Sequence, residues 1–202
     1  IRGQGPKEIF GTKAQKHDKS VNSFSKDVFE TLQKEFPKLK FRFRKTISKK
    51  EINEKLNTVD ARLGLTIFLE KSSISPDGGL IEVKDREGKW RVVLVCEAKH
   101  QGKDIENISK GILVGKNADQ LLMVAGNAIE RSHKNINEMR NFMIDEKHFP
   151  YVLFLQGSNF LTETITVIKP DGTEVILKHD DGVLNRLDRL TASNYSLPIN
   201  QN

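Results

Sequence analysis

Three charged side chains, Asp77, Glu97 and Lys99, lie at the two ends of one predicted β-hairpin. Asp77 follows Pro76 before the first strand, and Glu97 and Lys99 come at the end of the second. Two carboxylates that share one hard cation can polarise a phosphodiester and activate a water molecule for attack. A lysine beside them can orient that water or stabilise the charge that develops on the phosphate. These residue types predict a metal-dependent nuclease site.

The hairpin must position these groups. A three-residue turn with glycine in its left-handed position pairs Asp85 with Lys89. Counting outward along the ladder places Asp77 directly opposite Glu97, where paired residues lie roughly 4.5–5.5 Å apart. Lys99 comes two residues after Glu97, so strand alternation sends both side chains to one face. We therefore expect the three groups to converge, with Asp77 and Glu97 as metal ligands.

Similar triplets elsewhere in the chain test how specific this pattern is. Glu82-Val-Lys84 lies on the same strand as Asp77, and the extended rise puts Glu82 about 17 Å away. Glu87 belongs to the turn, and Asp171 has no Glu-x-Lys strand paired back to it. On spacing alone, a row of surface salt bridges is the alternative interpretation of the Asp77 group.

Helical and strand patterns are mixed along the chain, which is typical of an α/β protein. Apolar periodicity and capping boxes predict helices at 20–36, 48–59, 127–145 and 184–190. Alternating or continuous apolar runs predict strands at 40–45, 65–70, 79–85, 89–98 and 151–155, with a further hairpin around 170–172. No repeat or linker divides the sequence, so we expect a single domain over residues 1–202.

The composition is that of an ordinary globular protein, with 37% apolar and 30% charged residues among 202. The net charge of +6 favours a polyanionic partner such as nucleic acid, although solvated lysine faces also explain it. No apolar run approaches the length of a membrane span, and we expect no secretory h-region in this sequence. The single cysteine, Cys96, lies in an apolar run, which predicts a buried thiol in a reducing cytoplasm.

Five longer strings occur in the same order and spacing as in a known family. They are SSISPDGG (72–79), WRVVLVCEAKHQGKD (90–104), AGNAIERSHKNI (125–136), HFPYVLFL (148–155) and LNRLDRLTA (184–192). Together they resemble the EcoRI family of type II restriction endonucleases across nearly the whole chain. The resemblance implies a five-stranded mixed β-sheet flanked by helices, the restriction-endonuclease-like PD-(D/E)xK fold. It also implies that the family's C-terminal tail continues beyond Asn202.

The resemblance implies a specific activity. A homodimeric, Mg²⁺-dependent enzyme would cut both strands of double-stranded DNA at the palindrome GAATTC and leave 5′ overhangs. A restriction enzyme also implies a cognate DNA methyltransferase in the same system. By matching motif, Asp77 and Glu97 are the metal ligands, Lys99 is the acid/base or water-orienting lysine, and Gln101 lies nearby in support.

The same resemblance assigns DNA contacts to an extended run, to the first turns of a recognition helix and to two later arginines. The residues are Met123, Gly126, Asn127, Ala128, Glu130, Arg131, Lys134, Arg186 and Arg189. Residue chemistry agrees, because asparagine can pair with the edge of adenine, arginine with guanine, and alanine or methionine can touch the thymine methyl. For Glu130 and Arg131 an ordinary solvated helix face is the alternative.

Three positions depart from the family pattern. Val124 replaces alanine beside the base-reading run, Ser75 replaces a lysine before Pro76, and Lys45 replaces an acidic residue, which puts a third carboxylate in doubt. Three hypotheses follow: a sequence-specific endonuclease, a catalytically impaired DNA-binding protein of the same fold, and a nuclease acting on branched or damaged DNA. The base-reading segment weakens the third.

Overall fold

The computed structural model describes residues 12–63, 71–115, 118–119, 122–123, 126–160 and 163–179 of the chain. Within these residues the protein is a mixed α/β structure. In chain order the elements are α1 (Thr12–Glu35), β1 (Phe41–Arg44), β2 (Ile47–Ser48), α2 (Lys49–Val59), β3 (Ser73–Ile74), β4 (Gly79–Lys84), β5 (Trp90–His100), α3 (Asp104–Ser109), β6 (Leu122–Met123), α4 (Gly126–Phe142), β7 (Tyr151–Gln156), β8 (Ile165–Ile168) and β9 (Glu174–His179). No helix among the described residues is long and apolar enough to cross a membrane.

Helix α2 begins with the capping box that the sequence predicts. The Ser48 hydroxyl accepts a hydrogen bond from the N–H of Glu51 at 3.1 Å, and the Glu51 carboxylate accepts one from the N–H of Ser48 at 2.9 Å. The first bond satisfies an amide that the opening turn would otherwise leave unpaired. One residue later, Ile52 is 5% exposed and packs into the apolar core. The cap thus fixes where the helix meets the core.

The other two long predicted helices are confirmed with shifted ends. Helix α1 starts at Thr12, earlier than the expected residue 20, and α4 ends at Phe142 and not near 145. The predicted apolar side of α4 is confirmed, because Ile136, Met139 and Met143 are all at most 3% exposed. The helix predicted at 184–190 lies outside the described residues.

The central sheet has the strand order β1-β4-β5-β7. Strand β4 pairs antiparallel with β1 on one side and with β5 on the other. Between β5 and β7, the N–H of Val95 donates to Pro150 O at 2.8 Å, and that of Gln101 donates to Gln156 O at 2.9 Å. These two bonds advance by the same number of residues on both strands, which is the pattern of a parallel pair. The sheet is therefore mixed, as expected.

The expected number of five strands is wrong, because the central sheet has four strands within the described residues. Strands β8 and β9 do not extend it, since they pair with each other from Ile165↔Leu177 to Ile168↔Glu174. Strand β9 also pairs in parallel with β6, so these three strands form a sheet of their own. The hairpin predicted around 170–172 is confirmed, and the strand predicted at 65–70 lies outside the described residues.

The chain divides into two compact units with separate apolar cores. The first includes the described residues from 18 to 98 and from 132 to 154, and the second includes the described residues at 12–17, 99–131 and 155–179. In the first unit, Val95 of β5 packs against Met139 of α4, while Cys96 on the opposite face of β5 packs against Val21 of α1. The core of the second unit contains four buried residues, Ile108, Val167, Val175 and Leu177. The single-domain expectation stays a prediction.

Candidate active site

The β4–β5 hairpin has the predicted turn but not the predicted register at its far end. Near the turn, the N–H of Asp85 donates to Lys89 O at 2.8 Å, as expected. A bulge between Ile81 and Glu82 then shifts the pairing by one residue, and the ladder ends at Gly79↔Cys96. A strict count of alternating residues cannot detect such an inserted residue. The expectation that Asp77 pairs directly with Glu97 is therefore wrong by one position.

Asp77 and Glu97 nevertheless lie together, because hydrogen bonds join them across the hairpin. The N–H of Asp77 donates to Glu97 Oε2 at 3.1 Å. The N–H of Ala98 donates to Asp77 Oδ2 at 3.2 Å, which turns the Asp77 carboxylate toward the same strand. The bulge moves Asp77 beside Ala98, and these bonds bring its carboxyl group and that of Glu97 to one place. The predicted convergence of these two residues agrees with this geometry.

Two glycines after Asp77 allow this approach. The N–H of Gly78 donates to Cys96 O at 2.9 Å, and a Cβ at Gly78 would lie 2.5 Å from Cys96 Cβ and 2.7 Å from Ser25 Oγ. Gly79 has a φ of +73°, and a Cβ there would lie 2.7 Å from Arg44 O. Only residues without a side chain fit between α1, β1 and β5 at this point. The glycine pair therefore positions Asp77 against β5.

The Glu97 carboxylate is 1% exposed and is held by a residue that the sequence did not predict. Asn135 on α4 donates from Nδ2 to Glu97 Oε1 at 2.5 Å. Asn135 stands one turn before Met139, whose side chain is fully buried, so it places an amide on the apolar side of the helix. An isolated amide on an apolar stripe is the signal that could have identified Asn135 as a residue of the site.

Tyr151, at the start of β7, is the second residue that the sequence analysis missed. Its hydroxyl is buried, and no described residue forms a hydrogen bond with it. Burial raises the pKa of Tyr151, and the negative charges of Glu97 and Asp77 raise it further. The phenol is therefore protonated near neutral pH and lies within the electrostatic field of the two carboxylates.

Lys99 and Gln101 follow Glu97 along the chain. Lys99 is the tenth residue of β5 and is partly buried, and strand alternation directs its side chain to the same face as that of Glu97. Gln101 is 8% exposed, and its backbone bonds to Gln156 O at 2.9 Å and to the N–H of Asn159 at 3.3 Å. The catalytic roles of Lys99 and Gln101 stay predictions.

The triplets that sequence spacing rejected have structural partners. Glu82 accepts two hydrogen bonds from Arg42 at 2.6 and 3.0 Å. Glu87 lies in the exposed turn and forms an ion pair with Lys89 at 3.0 Å. Asp171 lies in the β8–β9 turn, where hydrogen bonds from Thr173 lower its pKa. These carboxylates serve local ion pairs and turns.

The predicted DNA-contact residues differ in their exposure. Glu130, Arg131 and Lys134 are exposed on α4, so a partner could reach them. Ala128 is 2% exposed, which leaves it little surface in this chain. The structure does not describe the surroundings of the other five, which are Met123, Gly126, Asn127, Arg186 and Arg189.

The Asp77–Glu97 pair fits a hard divalent cation by its chemistry. Carboxylate oxygens are the ligands that Mg²⁺ prefers, and Mg²⁺ usually needs only one or two of them, with water and phosphate completing its octahedron. Each carboxylate offers about four acceptor sites, so the hydrogen bonds to Glu97 leave capacity for a metal. The described residues contain no group of three or more His, Cys, Asp or Glu side chains that could hold a metal.

Lys45 and Ser75 are exposed, and Val124 lies outside the described residues.

Comparison with known proteins identifies the family. The chain matches the family described as restriction endonuclease EcoRI over residues 3–202. It is 62% identical over 199 residues to the type II restriction enzyme EcoRI of Escherichia coli, covering 98% of this chain and 72% of that enzyme. It is 58% identical over 200 residues to the type II restriction enzyme RsrI of Cereibacter sphaeroides, covering 99% of this chain and 72% of that enzyme. The chain therefore belongs to the EcoRI family and is a site-specific type II restriction endonuclease.

Proposed function

We propose that this endonuclease hydrolyses both strands of double-stranded DNA at the palindrome GAATTC and leaves 5′ overhangs. The observation that carries the chemistry is the meeting of Asp77 and Glu97, in which the N–H of Asp77 donates to the Glu97 carboxylate at 3.1 Å. The choice of site rests on the likeness of the base-reading strings to the family. A phosphodiester beside the carboxylate pair would receive a water nucleophile.

Asp77 and Glu97 hold a Mg²⁺ ion in this proposal. When bound, the ion lowers the pKa of a coordinated water and offsets the negative charge that develops on the phosphate. The protein's contribution is to fix the two ligands. Asn135 holds one oxygen of Glu97 at 2.5 Å, and the N–H of Ala98 holds one oxygen of Asp77 at 3.2 Å. Lys99 orients the attacking water or stabilises the charged phosphate.

The first turns of α4 read the DNA sequence in this proposal. Glu130, Arg131 and Lys134 are exposed there, and the N-terminal turn of a helix also attracts phosphate. Asn127 can bond the edge of adenine in the major groove, and the later Arg186 and Arg189 can bond guanine. Met123 can touch the thymine methyl. Gly126 and Ala128 belong to the same proposed run, in which Ala128 is 2% exposed.

A palindromic site implies a symmetric enzyme. Two identical subunits related by a two-fold axis present the same side chains to the two half-sites, so we propose a homodimer. An enzyme that cuts GAATTC also requires protection of the host DNA, and we propose a cognate methyltransferase that modifies the same sequence.

Digestion of a sequenced plasmid tests the proposal. The full-length protein with Mg²⁺ should cut a plasmid at each GAATTC, and ligation of adaptors with sequencing should map 5′ overhangs. A plasmid that differs only by one base change in each site is the matched substrate control, and EDTA should prevent cutting of both. Retardation of a GAATTC duplex without cleavage in Mg²⁺ would support the catalytically impaired DNA-binding protein instead.

A further inference from the structure

The ring of Tyr151 is explained by packing, but its hydroxyl is not. The ring stacks on Phe149, with centroids 5.3 Å apart and planes 9° from parallel, and it packs against the core that contains Val95. A phenylalanine would make the same contacts. A buried hydroxyl without a hydrogen bond is destabilising, and no described residue pairs with this one. The hydroxyl therefore lacks a donor or acceptor among the described residues and can pair with a bound group.

The strand register places Tyr151 on the same face of the sheet as Glu97. The N–H of Val95 donates to Pro150 O at 2.8 Å, and in a parallel pair this bond sets Val95 beside Tyr151. Side-by-side residues share a face, and Glu97 lies two residues after Val95 on that face. Cys96, between them, packs in the cluster on the opposite face. The phenol therefore lies on the carboxylate side of the sheet.

The electrostatic surroundings agree with this placement. After burial, the charges of Glu97 and Asp77 are the main causes that raise the pKa of Tyr151. A protonated phenol has one donor hydrogen and acceptor lone pairs on its oxygen. Asn135 and the N–H of Asp77 bond the Glu97 carboxylate at 2.5 and 3.1 Å. The phenol and the Glu97 carboxylate therefore lie on one face of the sheet, and the phenol is within the electrostatic field of both proposed metal ligands.

We propose that Tyr151 is a positioning residue of the nuclease, whose phenol oxygen accepts a hydrogen bond from a water molecule of the cation hydrated at Asp77 and Glu97. The inference rests on the proposed function, since it needs these carboxylates as ligands. Mg²⁺ keeps several waters when one or two carboxylates bind it, and those waters turn their hydrogens away from the ion. In a buried site each such hydrogen needs an acceptor, and the phenol oxygen is one.

The variant Tyr151→Phe removes the hydroxyl alone and permits two measurements. The first is thermal unfolding of the full-length protein in EDTA. The midpoint should stay unchanged or rise, because the variant loses an unsatisfied polar atom. The second is binding of a GAATTC duplex, followed by fluorescence anisotropy while Ca²⁺ is added, since Ca²⁺ takes the same oxygen ligands. The Ca²⁺ concentration for half-maximal enhancement of binding should rise about three- to tenfold, the worth of one net hydrogen bond.

Phe149→Leu is the matched packing control, because it loosens the same ring stack and keeps the hydroxyl. It should lower the unfolding midpoint and leave the Ca²⁺ requirement unchanged. Equal Ca²⁺ requirements for Tyr151→Phe and the parent would overturn the inference and leave the metal site intact. Weaker DNA binding by Tyr151→Phe in EDTA, with an unchanged Ca²⁺ requirement, would also overturn it by assigning the hydroxyl to a phosphate oxygen.

A Glu97→Gln arm separates failure of the inference from failure of the proposed function. This variant should lose the Ca²⁺ enhancement that the parent shows. If Glu97→Gln keeps the full Ca²⁺ enhancement of DNA binding, or if the parent shows no enhancement, Asp77 and Glu97 are not the metal site. The proposed role of Tyr151 is then also rejected. If Glu97→Gln loses the enhancement while Tyr151→Phe needs the same Ca²⁺ concentration as the parent, the metal site stands and the role of Tyr151 is rejected.

Discussion

Two glutamates on neighbouring strands, Glu82 on β4 and Glu97 on β5, are equally buried at 1% exposure but are held in different ways. Arg42 donates to both carboxylate oxygens of Glu82, at 2.6 and 3.0 Å. Glu97 accepts hydrogen bonds from the Asn135 amide at 2.5 Å and from the N–H of Asp77 at 3.1 Å. Asp77 also brings a second carboxylate to the same place.

We propose that this difference separates a glutamate that stabilises the fold, Glu82, from one that binds a cation, Glu97. The charge of Glu82 is compensated inside the chain, where Arg42 is itself stacked over Trp90 at 4.2 Å. The hydrogen bonds from Asn135 and Asp77 fix the position of the Glu97 carboxylate. A carboxylate that is fixed beside a second carboxylate can bind a divalent ion together with it. Burial alone would not have separated the two residues.

Removing the charge of Glu97 should have the largest effect. Glu97→Gln should lower the cleavage rate by more than about a thousandfold, because the metal contributes several kcal/mol to the transition state. Affinity for a GAATTC duplex in EDTA should stay the same or increase, since one negative charge near the phosphate is lost. Single-turnover cleavage and anisotropy measure the two quantities. Cleavage at the parent's rate would remove Glu97 from the mechanism.

Glu82→Gln is the matched substitution at the other buried carboxylate, and it should act on stability. Breaking a buried pair costs about 3–5 kcal/mol, but Arg42 is 38% exposed and can be solvated, so we expect about 2–3 kcal/mol. Urea unfolding measures this loss. The cleavage rate per folded molecule should be unchanged at a temperature where the variant is folded. A loss of cleavage comparable to that of Glu97→Gln would end the distinction between the two glutamates.

Asn135→Ala should test whether a neutral donor prepares Glu97. Loss of a residue that orients a metal ligand typically costs ten- to a hundredfold, so the rate at saturating DNA should fall by about that factor, with a higher Mg²⁺ requirement. The KM for DNA should change little. Asn137→Ala is the matched control, because Asn137 is exposed on the same helix. If both variants cleave at the parent's rate in all Mg²⁺ concentrations, the hydrogen bond to Glu97 has no catalytic role.

Local signals made much of the scaffold predictable. The capping box of Ser48 and Glu51, the turn at Gly88 and the hairpin around 170–172 each depend on a few adjacent residues, and the structure confirms them. The number of strands in the central sheet was not predictable in this way. Whether β8 and β9 join that sheet or pair with β6 depends on contacts between distant segments, which the pattern of a single strand does not contain.

The same distinction explains the outcome at the candidate site. Asp77 and Glu97 were identified because their residue types and their places at strand ends carry chemical meaning. Their predicted register was wrong by one residue. The bulge after Ile81 cannot be detected from the alternation of apolar and polar residues in the sequence. Asn135 is 38 residues from Glu97 in the sequence, so no local pattern connects them. The roles of these residues stay predictions until they are tested by substitution.

The smallest expected effect concerns Glu51. Like Glu82, this glutamate pairs with an arginine inside the chain. Arg44 donates to both Glu51 oxygens, at 2.7 and 2.9 Å, and also lies 3.8 Å from Glu82, so the two glutamates share one arginine. Burial alone would raise the pKa of Glu51, but hydrogen bonds from Ser48 and Arg44 lower it below its ordinary value of 4.5. A carboxylate with a lowered folded pKa stabilises the protein above its unfolded pKa. That contribution disappears as the pH falls through the folded pKa.

Two variants of Glu51 separate the cap from the charge. Glu51→Ala should cost about 1–2 kcal/mol at pH 7, because it removes both the capping contact and the pairing with Arg44. Glu51→Gln keeps a side chain that can cap, so it should cost less. The difference between the parent and Glu51→Gln should shrink as the pH is lowered below about 4.5, where the carboxylate of the unfolded parent begins to protonate, and should be lost as the pH falls through the lower folded pKa. Urea unfolding at several pH values measures this, and a difference that stays constant down to pH 3 would mean that the charge of Glu51 adds nothing to the arginine pairing.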